Sequence, residues 1–437
     1  VCSNSIYVVE KFIRSIDQGY NPSVDEVLEV SRLFGERTKK VDVVYSRYLD
    51  VFSKLIQKNC VYTDKGDLCI YSWNPRAYIR YYPLSIDATG TILLITGDGI
   101  ELVAYPIHRS HDIEGHRVRI YKPSEKAIVE ISRRIDGYHI TFYYNPLLKK
   151  WVPATRYVLH NMRYMGKRLI VENLDEIINP YCFIADKIAS EQGLYDKFKG
   201  FNGWTFSFVL KPPEPAILKP NVELYDPSDF KLYLVSARKP DGTLLTISDS
   251  GELLKWNTVP LEHVIDDDHV FEELVEKARH DLHIRSIFIR YIDDDHCRPY
   301  IVEVKSKLYP EAMAVKYMSS PKSLILLASH GLGEEAVSLL TSFGDIRAVG
   351  KEIIDMYEEL YQHVSTNIDS DIVEQVLKEL DIYSKLKGEL TRARRKGDVG
   401  RFVRKLSILL SGETIYEARA NIKKAIELFR KLGGSSR

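Results

Sequence analysis

The densest group of chemically active side chains lies in the last quarter of the chain. Arginine and lysine recur through residues 392–405. Cations at this spacing can neutralise several phosphates of an RNA backbone. Alternatively, the run is the solvated face of a helix. The predicted nucleic-acid-binding residues are Arg392, Arg394, Arg395, Lys396, Arg401, Arg404 and Lys405.

Other side chains of the types used in catalysis give no readable site. The stretches 266–269 and 293–296 combine aspartates with a histidine, which are usable metal ligands, but such residues also occur in turns and helix starts. We therefore predict no metal site. His108, His111 and His116 have no nucleophile at triad spacing and stay unassigned.

Composition bounds the class of protein. Lys+Arg and Asp+Glu are both 61 in 437 residues, so any basic surface must be local. The five scattered cysteines form no metal-binding pattern, and we expect them to be reduced, as in an intracellular protein. No apolar run is long enough to span a membrane and no signal peptide is visible, so we expect a cytoplasmic location. A charged content of 28% with few glutamines is typical of a thermophile.

Periodicity predicts an α+β fold in three parts. Apolar residues recur every three to four positions in residues 1–60, where Ser23 and Glu26 form a capping-box pattern. Residues 61–310 contain short β-branched and aromatic runs, which indicate a sheet rich in antiparallel strands. Residues 311–437 return to the helical pattern. We predict a helical N-terminal segment, a central sheet domain and an all-helical C-terminal domain.

The most informative segment of the central domain is residues 131–140. It predicts a strand ending at Arg134, a turn through Asp136 and Gly137, and a second strand, which together are typical of a hairpin.

The setting of this turn resembles the ATP-dependent RNA ligase family of covalent nucleotidyltransferases, with its ATP-grasp-like fold. That family carries its signature lysine in a Lys-x-Asp-Gly turn, where this chain has Arg134-Ile135-Asp136-Gly137. Further segments resemble family motifs in order. They are residues 88–93, 106–110, 151–156, 203–210, 232–242 and 300–309.

The resemblance implies a nucleotide- or phosphate-binding cleft. Its implied residues are Arg134, Asp136, Gly137, Arg156, Arg285, Lys305 and Lys307. Lys305 and Lys307, two positions apart, would share one face of a strand. Clustered cations favour a phosphate, but Arg134 and Arg285 pairing internally with Asp136 and Glu303 is an equally good interpretation.

The departures from the family bear on catalysis. The nucleophilic lysine is replaced by Arg134, whose guanidinium stays protonated. Where the family has glutamates for nucleotide and metal, this chain has Val209, or Ser207 if the register shifts by two, and Arg285. We therefore expect a non-catalytic protein that binds RNA or a nucleotide and needs no cofactor. A larger protein assembly that includes this chain is one form of this expectation.

Two alternatives remain open. One is an active ATP-dependent RNA ligase that uses ATP, Mg²⁺ and another lysine, for instance Lys122 or Lys126. The other is a structural scaffold that binds protein partners through its helical flanks.

Overall fold

The computed structural model describes residues 2–73, 81–113, 127–160, 163–165, 168–171, 179–213, 226–264, 268–293 and 297–434. The chain divides into two compact units, which are described separately. The first comprises residues 1–275 and 286–305, and the second comprises residues 276–285 and 306–437. The fold is α+β with mainly antiparallel sheets, as predicted. The division at 60/61 and 310/311 stays a prediction.

Three helices begin the first unit, as the periodicity predicts. They are α1 (Ser5–Asp17), α2 (Val24–Leu33) and α3 (Val41–Lys54). The predicted capping box is confirmed, because the Ser23 side chain accepts a hydrogen bond from the backbone of Glu26, whose carboxylate accepts one from the backbone of Ser23. Ile6, Val9 and Phe12 of α1 pack against the neighbouring sheet.

That sheet has six strands in the order β4-β3-β2-β1-β10-β9. Its members are β1 (Ile56–Thr63), β2 (Gly66–Trp73), β3 (Thr89–Ile95), β4 (Ile100–Ala104), β9 (Arg163–Met165) and β10 (Arg168–Val171). The short helix α4 (Leu84–Asp87) precedes β3. Most of β2 and β3 is buried, which explains their continuous apolar runs.

A four-stranded sheet, in the order β12-β11-β7-β8, follows. Its members are β7 (Tyr138–Asn145), β8 (Lys150–Ala154), β11 (Thr205–Lys211) and β12 (Lys231–Arg238). Tyr143, Val152 and Ala154 share a core with the six-stranded sheet. Phe142, Phe206 and Phe208 pack instead with residues of the helices α5 (Pro180–Glu191) and α6 (Leu194–Lys197).

The third sheet has five strands in the order β13-β6-β14-β15-β5. Its members are β5 (His111–Asp112), β6 (Ile128–Arg133), β13 (Leu261–Val264), β14 (Ser286–Ile292) and β15 (Tyr300–Lys305). Two helices lie between β12 and β14 in sequence, α7 (Ile247–Leu254) and α8 (Asp268–Arg279).

The second unit is built from helices in the residues that the structure describes. They are α9 (Tyr309–Met318), α10 (Pro321–Ala328), α11 (Gly333–Leu339), α12 (Ile346–Asn367), α13 (Asp371–Glu379), α14 (Tyr383–Lys396), α15 (Val399–Leu410) and α16 (Ile415–Gly434). One apolar core joins them, with Leu324, Ile353, Leu406 and Ile422 fully buried. No helix among the described residues has the length and apolar character needed to cross a bilayer.

Two expectations are wrong. The strands that flank the turn at Asp136 do not pair as a hairpin, because β6 pairs with β13 and β14 whereas β7 pairs with β8 and β11. The cysteines are not all reduced, since Cys2 is bonded to Cys297 and Cys60 to Cys69. Such bonds occur in oxidising compartments and also inside hyperthermophiles. Cys182 is buried as a free thiol.

Candidate anion-binding site

The turn at residues 134–137 carries the chain from the five-stranded sheet to the four-stranded sheet, and a cavity of about 310 Å³ opens beside it. Phe288 and Ile301 line the cavity from the five-stranded sheet, and Val209 and Val235 line it from the four-stranded sheet. This volume is at the lower end of the range for small-molecule pockets. The cavity lies wholly within the first unit.

Five arginines line this cavity, and they give it its chemical character. They are Arg109, Arg133, Arg134, Arg156 and Arg290. Guanidinium groups carry rigid sets of donors that match the oxygens of a phosphate or carboxylate. The arrangement can therefore hold an anion.

Three of the arginines have carboxylate partners. These pairs are Arg133 with Glu262, Arg134 with Glu303 at 2.5 Å, and Arg290 with Glu130 at 3.5 Å. The Arg134 side chain is 28% exposed and also lies over the ring of Phe288. The internal pairing of Arg134 with Glu303 considered from the sequence is thus present. Arg290 is almost fully buried, and its Nε has no hydrogen-bond partner among the described residues.

The other two arginines contact neutral groups. Arg109 donates to the hydroxyl of Tyr157 and lies over its ring. Arg156 Nη1 donates to the carbonyl oxygens of Thr89, at 2.7 Å, and Ile107, at 3.0 Å. These bonds orient the Arg156 guanidinium at the cavity wall.

Burial and these charges together act on a neighbouring histidine. His139 lines the cavity, and its Nε2 lies 3.0 Å from the hydroxyl of Thr141. Burial, followed by the positive charges of Arg156 and Arg109, lowers the pKa of His139 well below its usual value. A neutral histidine is thus expected at pH 7.

A second histidine, His108, lines the cavity from the segment that follows β4. Its Nε2 lies 3.1 Å from Oδ1 of the buried Asp87. Burial lowers the pKa of His108 to about 4 although Asp87 opposes this shift. This histidine is also neutral at pH 7.

Gly137 permits the close approach that shapes the turn. A Cβ at this position would overlap the carbonyl oxygen of Leu210 and lie 2.7 Å from Cγ1 of Val209. Any side chain larger than hydrogen would therefore clash at position 137, because β11 runs directly against the turn.

The lining holds neither a lysine nor a carboxylate among the described residues. In the same part of the chain, no group of three or more His, Cys, Asp or Glu side chains could hold a metal ion. Lys122 and Lys126, the alternative acceptors, lie outside the described residues, as do His116 and parts of both acidic stretches.

Only part of the predicted phosphate-binding set lines the cavity, namely Arg134, Gly137 and Arg156. Asp136 lies in the turn but not in the lining. Arg285 immediately precedes β14 and does not line the cavity. Lys305 is half exposed and pairs with Asp112 at 2.7 Å. Lys307 lies beyond the end of β15, so the expectation that it shares a strand face with Lys305 is wrong.

The predicted nucleic-acid-binding cations lie on α14 and α15 of the second unit, and several have internal partners. Arg394 donates to Glu374 and to the carbonyl oxygens of Ile368 and Ser370. Arg401 and Lys405 both pair with Glu389. Arg395 and Lys396 are exposed, whereas Arg392 and Arg404 are half-buried.

Sequence reasoning missed Arg109, Arg133, Arg290, His108 and His139 as members of this site. Arg109 and His108 fall in segment 106–110, whose likeness to a family motif could have drawn attention to them. Arg290 carried a different signal, because a cation in a buried strand needs a partner or a ligand.

Comparison with known proteins gives a limited result. No protein-family model and no curated protein matches the chain. Among solved structures, the chain is similar to an archaeal ATP-dependent RNA ligase, form 1, at 12% identity and a TM-score of 0.38, over 76% of this chain and 79% of that chain. Form 2 gives the same identity and TM-score over 78% and 83%. An RNA ligase mutant from Naegleria gruberi with ATP and Mn is 13% identical with a TM-score of 0.30, over 59% and 98%.

Proposed function

We propose that this chain is an RNA ligase-like protein that binds the phosphate of RNA or a nucleotide in the arginine-lined cavity without adenylyl transfer. The observation that carries the proposal is the lining of that cavity, which includes five arginines but neither lysine nor carboxylate among the described residues. Guanidinium groups bind phosphate oxygens well, so the site suits a phosphorylated ligand.

The same lining argues against ligase chemistry at this place. Adenylyl transfer by a covalent nucleotidyltransferase needs an amine that loses its proton and attacks phosphorus. Position 134 offers a guanidinium, which stays protonated and is already paired with Glu303. Mg²⁺ prefers oxygen ligands, and the described lining supplies no carboxylate oxygen.

RNA is the proposed partner because exposed cations also occur on the second unit. Arg395 and Lys396 are exposed on α14 and can contact a phosphate backbone. Arg394 instead ties α14 to Glu374 and to two carbonyl groups, which is a structural role. Arg395→Ala with Lys396→Ala should therefore weaken RNA binding and reduce its salt dependence, whereas Arg394→Ala should mainly lower the stability of the helical unit.

The first experiment measures binding without metal. A fluorescent single-stranded RNA with a 5′-phosphate should bind in EDTA more tightly than the same RNA with a 5′-hydroxyl. Arg109→Ala should reduce that preference about tenfold or more, because a charged hydrogen bond is worth roughly 1.5–3 kcal/mol. Arg32→Ala, which removes an exposed arginine from α2, is the matched control and should leave the preference unchanged.

A second experiment tests catalysis directly. Incubation with α-labelled ATP and magnesium, followed by denaturing electrophoresis, should give no labelled protein. A labelled band that disappears in Lys122→Ala or Lys126→Ala would instead support the active ligase, with ATP and Mg²⁺ as its cofactors.

A specific observation favours the scaffold as a second candidate. Three of the five lining arginines already have carboxylate partners, which is how a purely structural ion-pair network would look. A scaffold predicts that 5′-phosphorylated and 5′-hydroxyl RNA bind equally and that Arg109→Ala changes neither.

A further inference from the structure

Asp87 is a buried anchor beside the cavity, and it fixes the orientation of His108. Its Oδ2 accepts hydrogen bonds from the backbone N–H of Ser5 at 2.7 Å and from the Ser5 hydroxyl at 2.6 Å. Its Oδ1 accepts one from the hydroxyl of Tyr105 at 2.7 Å, and Arg298 Nη2 lies 2.9 Å from Oδ2. These partners leave the carboxylate and the imidazole little freedom to move.

The charge of Asp87 decides which nitrogen of His108 carries the proton. Burial alone would raise the pKa of Asp87, but Arg298 and the hydrogen bond to His108 outweigh it and hold that pKa well below its usual value. An ionised carboxylate only accepts hydrogen bonds, so Nε2 of His108 carries the N–H. Because the neutral imidazole has one N–H, the lone pair is on Nδ1.

That acceptor has no internal partner. Nδ1 of His108 is buried, and no described residue donates a hydrogen bond to it. The side chain is 1% exposed and lines the arginine cavity. A buried acceptor without a donor is costly, so a ligand that fills the cavity is favoured if it brings a donor to this point.

An anion alone does not meet this requirement. The arginines donate hydrogen bonds and suit a phosphate, whereas His108 Nδ1 is an acceptor and needs an O–H or N–H group on the same ligand. We propose that His108 Nδ1 accepts a hydrogen bond from a sugar hydroxyl of the phosphorylated ligand, so that the cavity selects ribose phosphates over dideoxyribose phosphates, which have no free sugar hydroxyl. This inference rests on the phosphate-binding function proposed above.

The test uses three probes, all in EDTA. Titration calorimetry measures inorganic phosphate, adenosine 5′-monophosphate and 2′,3′-dideoxyadenosine 5′-monophosphate. The wild type should bind the ribonucleotide about tenfold more tightly than the dideoxynucleotide, because the latter leaves Nδ1 without a donor. Inorganic phosphate should bind as well, which reports on the arginines alone.

Two variants assign the selectivity to His108. His108→Leu removes the acceptor and should bring the ratio of the two nucleotide affinities to about one. His108→Gln can donate to Asp87 through its amide nitrogen and accept through its carbonyl oxygen, so it should retain part of the preference. Thermal melts of both variants establish that they are folded.

The outcomes separate this inference from the function on which it rests. If phosphate and both nucleotides bind but the wild type does not distinguish ribose from dideoxyribose, the role of His108 is refuted and phosphate binding stands. The role is also refuted if folded His108→Leu keeps the full preference. If none of the three probes binds, the proposed phosphate site fails, and the hydroxyl selectivity fails with it.

Discussion

Glu303→Gln is the substitution that best separates a phosphate site from a structural ion-pair network. Glu303 lies on β15 with its side chain 8% exposed, and its Oε1 accepts from Arg134 Nη1 at 2.5 Å and from the hydroxyl of Ser286 at 2.6 Å. Glutamine keeps the shape and an accepting oxygen but removes the negative charge. The variant therefore changes the charge beside Arg134 with little change in packing.

The expected magnitudes follow from the two hydrogen bonds of Glu303 and from Coulomb's law for a phosphate bound in the cavity. Both hydrogen bonds can persist in weaker, neutral form, so the free energy of unfolding should fall by about 1 kcal/mol. A unit charge about 7 Å from a bound phosphate contributes about 2 kcal/mol at an effective dielectric constant of 20. Salt and partial exposure reduce this to about 1–2 kcal/mol, so removing the repulsion should tighten phosphate binding about 5- to 30-fold.

The assay is titration calorimetry with pyrophosphate in EDTA at two salt concentrations, together with urea unfolding. Glu101→Gln, on the exposed edge of β4, is the matched control and should change neither quantity. The tighter binding should diminish at the higher salt concentration. A stable Glu303→Gln variant that binds pyrophosphate no better than the wild type would refute the view that Arg134 faces the ligand.

Three further predictions concern the frame of the site. Gly137→Ala should lower the free energy of unfolding by about 1–3 kcal/mol in chemical denaturation, since its methyl group would overlap the carbonyl of Leu210. Replacing Cys2 and Cys297 by serine should cost about 2–5 kcal/mol in urea unfolding, because the bond closes a very long loop, and the wild type in reductant, which also opens the Cys60–Cys69 bond, should lose at least as much. Burial holds the pKa of His108 at about 4, below the usual histidine pKa of about 6.5, so the unfolded chain takes up a proton first as pH falls. Stability should therefore decline from pH 6.5 to pH 4, less so in His108→Leu, as measured by urea unfolding across that range.

Local patterns predicted the elements but not their partners. The alternation around Ile131 and Phe142 correctly placed β6 and β7, and the Asp136-Gly137 pair correctly marked a turn. Whether two successive strands pair depends on residues far away, and here β14, more than 150 positions downstream of β6, occupies the hairpin position. The bond between Cys2 and Cys297 could not be predicted either, because local patterns carry no information on two residues separated by 295 positions.

The site shows a related limit. Arg134, Gly137 and Arg156 were predicted because each falls in a segment with a family-like pattern. Arg290 faces the cavity through strand register, since it pairs with Glu130 across β14 and β6, as Phe288 pairs with Ser132, and the sequence does not reveal which strands pair. The expectation that Lys307 shares a strand face with Lys305 is wrong because β15 ends at Lys305, and the alternation of faces ends with it.

The ion pairs around the cavity do not by themselves exclude a ligand. A guanidinium has five N–H donors, and the bond from Arg134 to Glu303 uses one of them. Each pair also holds its arginine in place before a ligand arrives, which reduces the entropy lost on binding. The pairs also weaken anion binding, because the negative charges of Glu130, Glu262 and Glu303 offset part of the arginines' attraction for an anion. A phosphate site of this design gains orientation and selectivity at the expense of affinity, which is why neutralising one carboxylate should strengthen binding rather than abolish it.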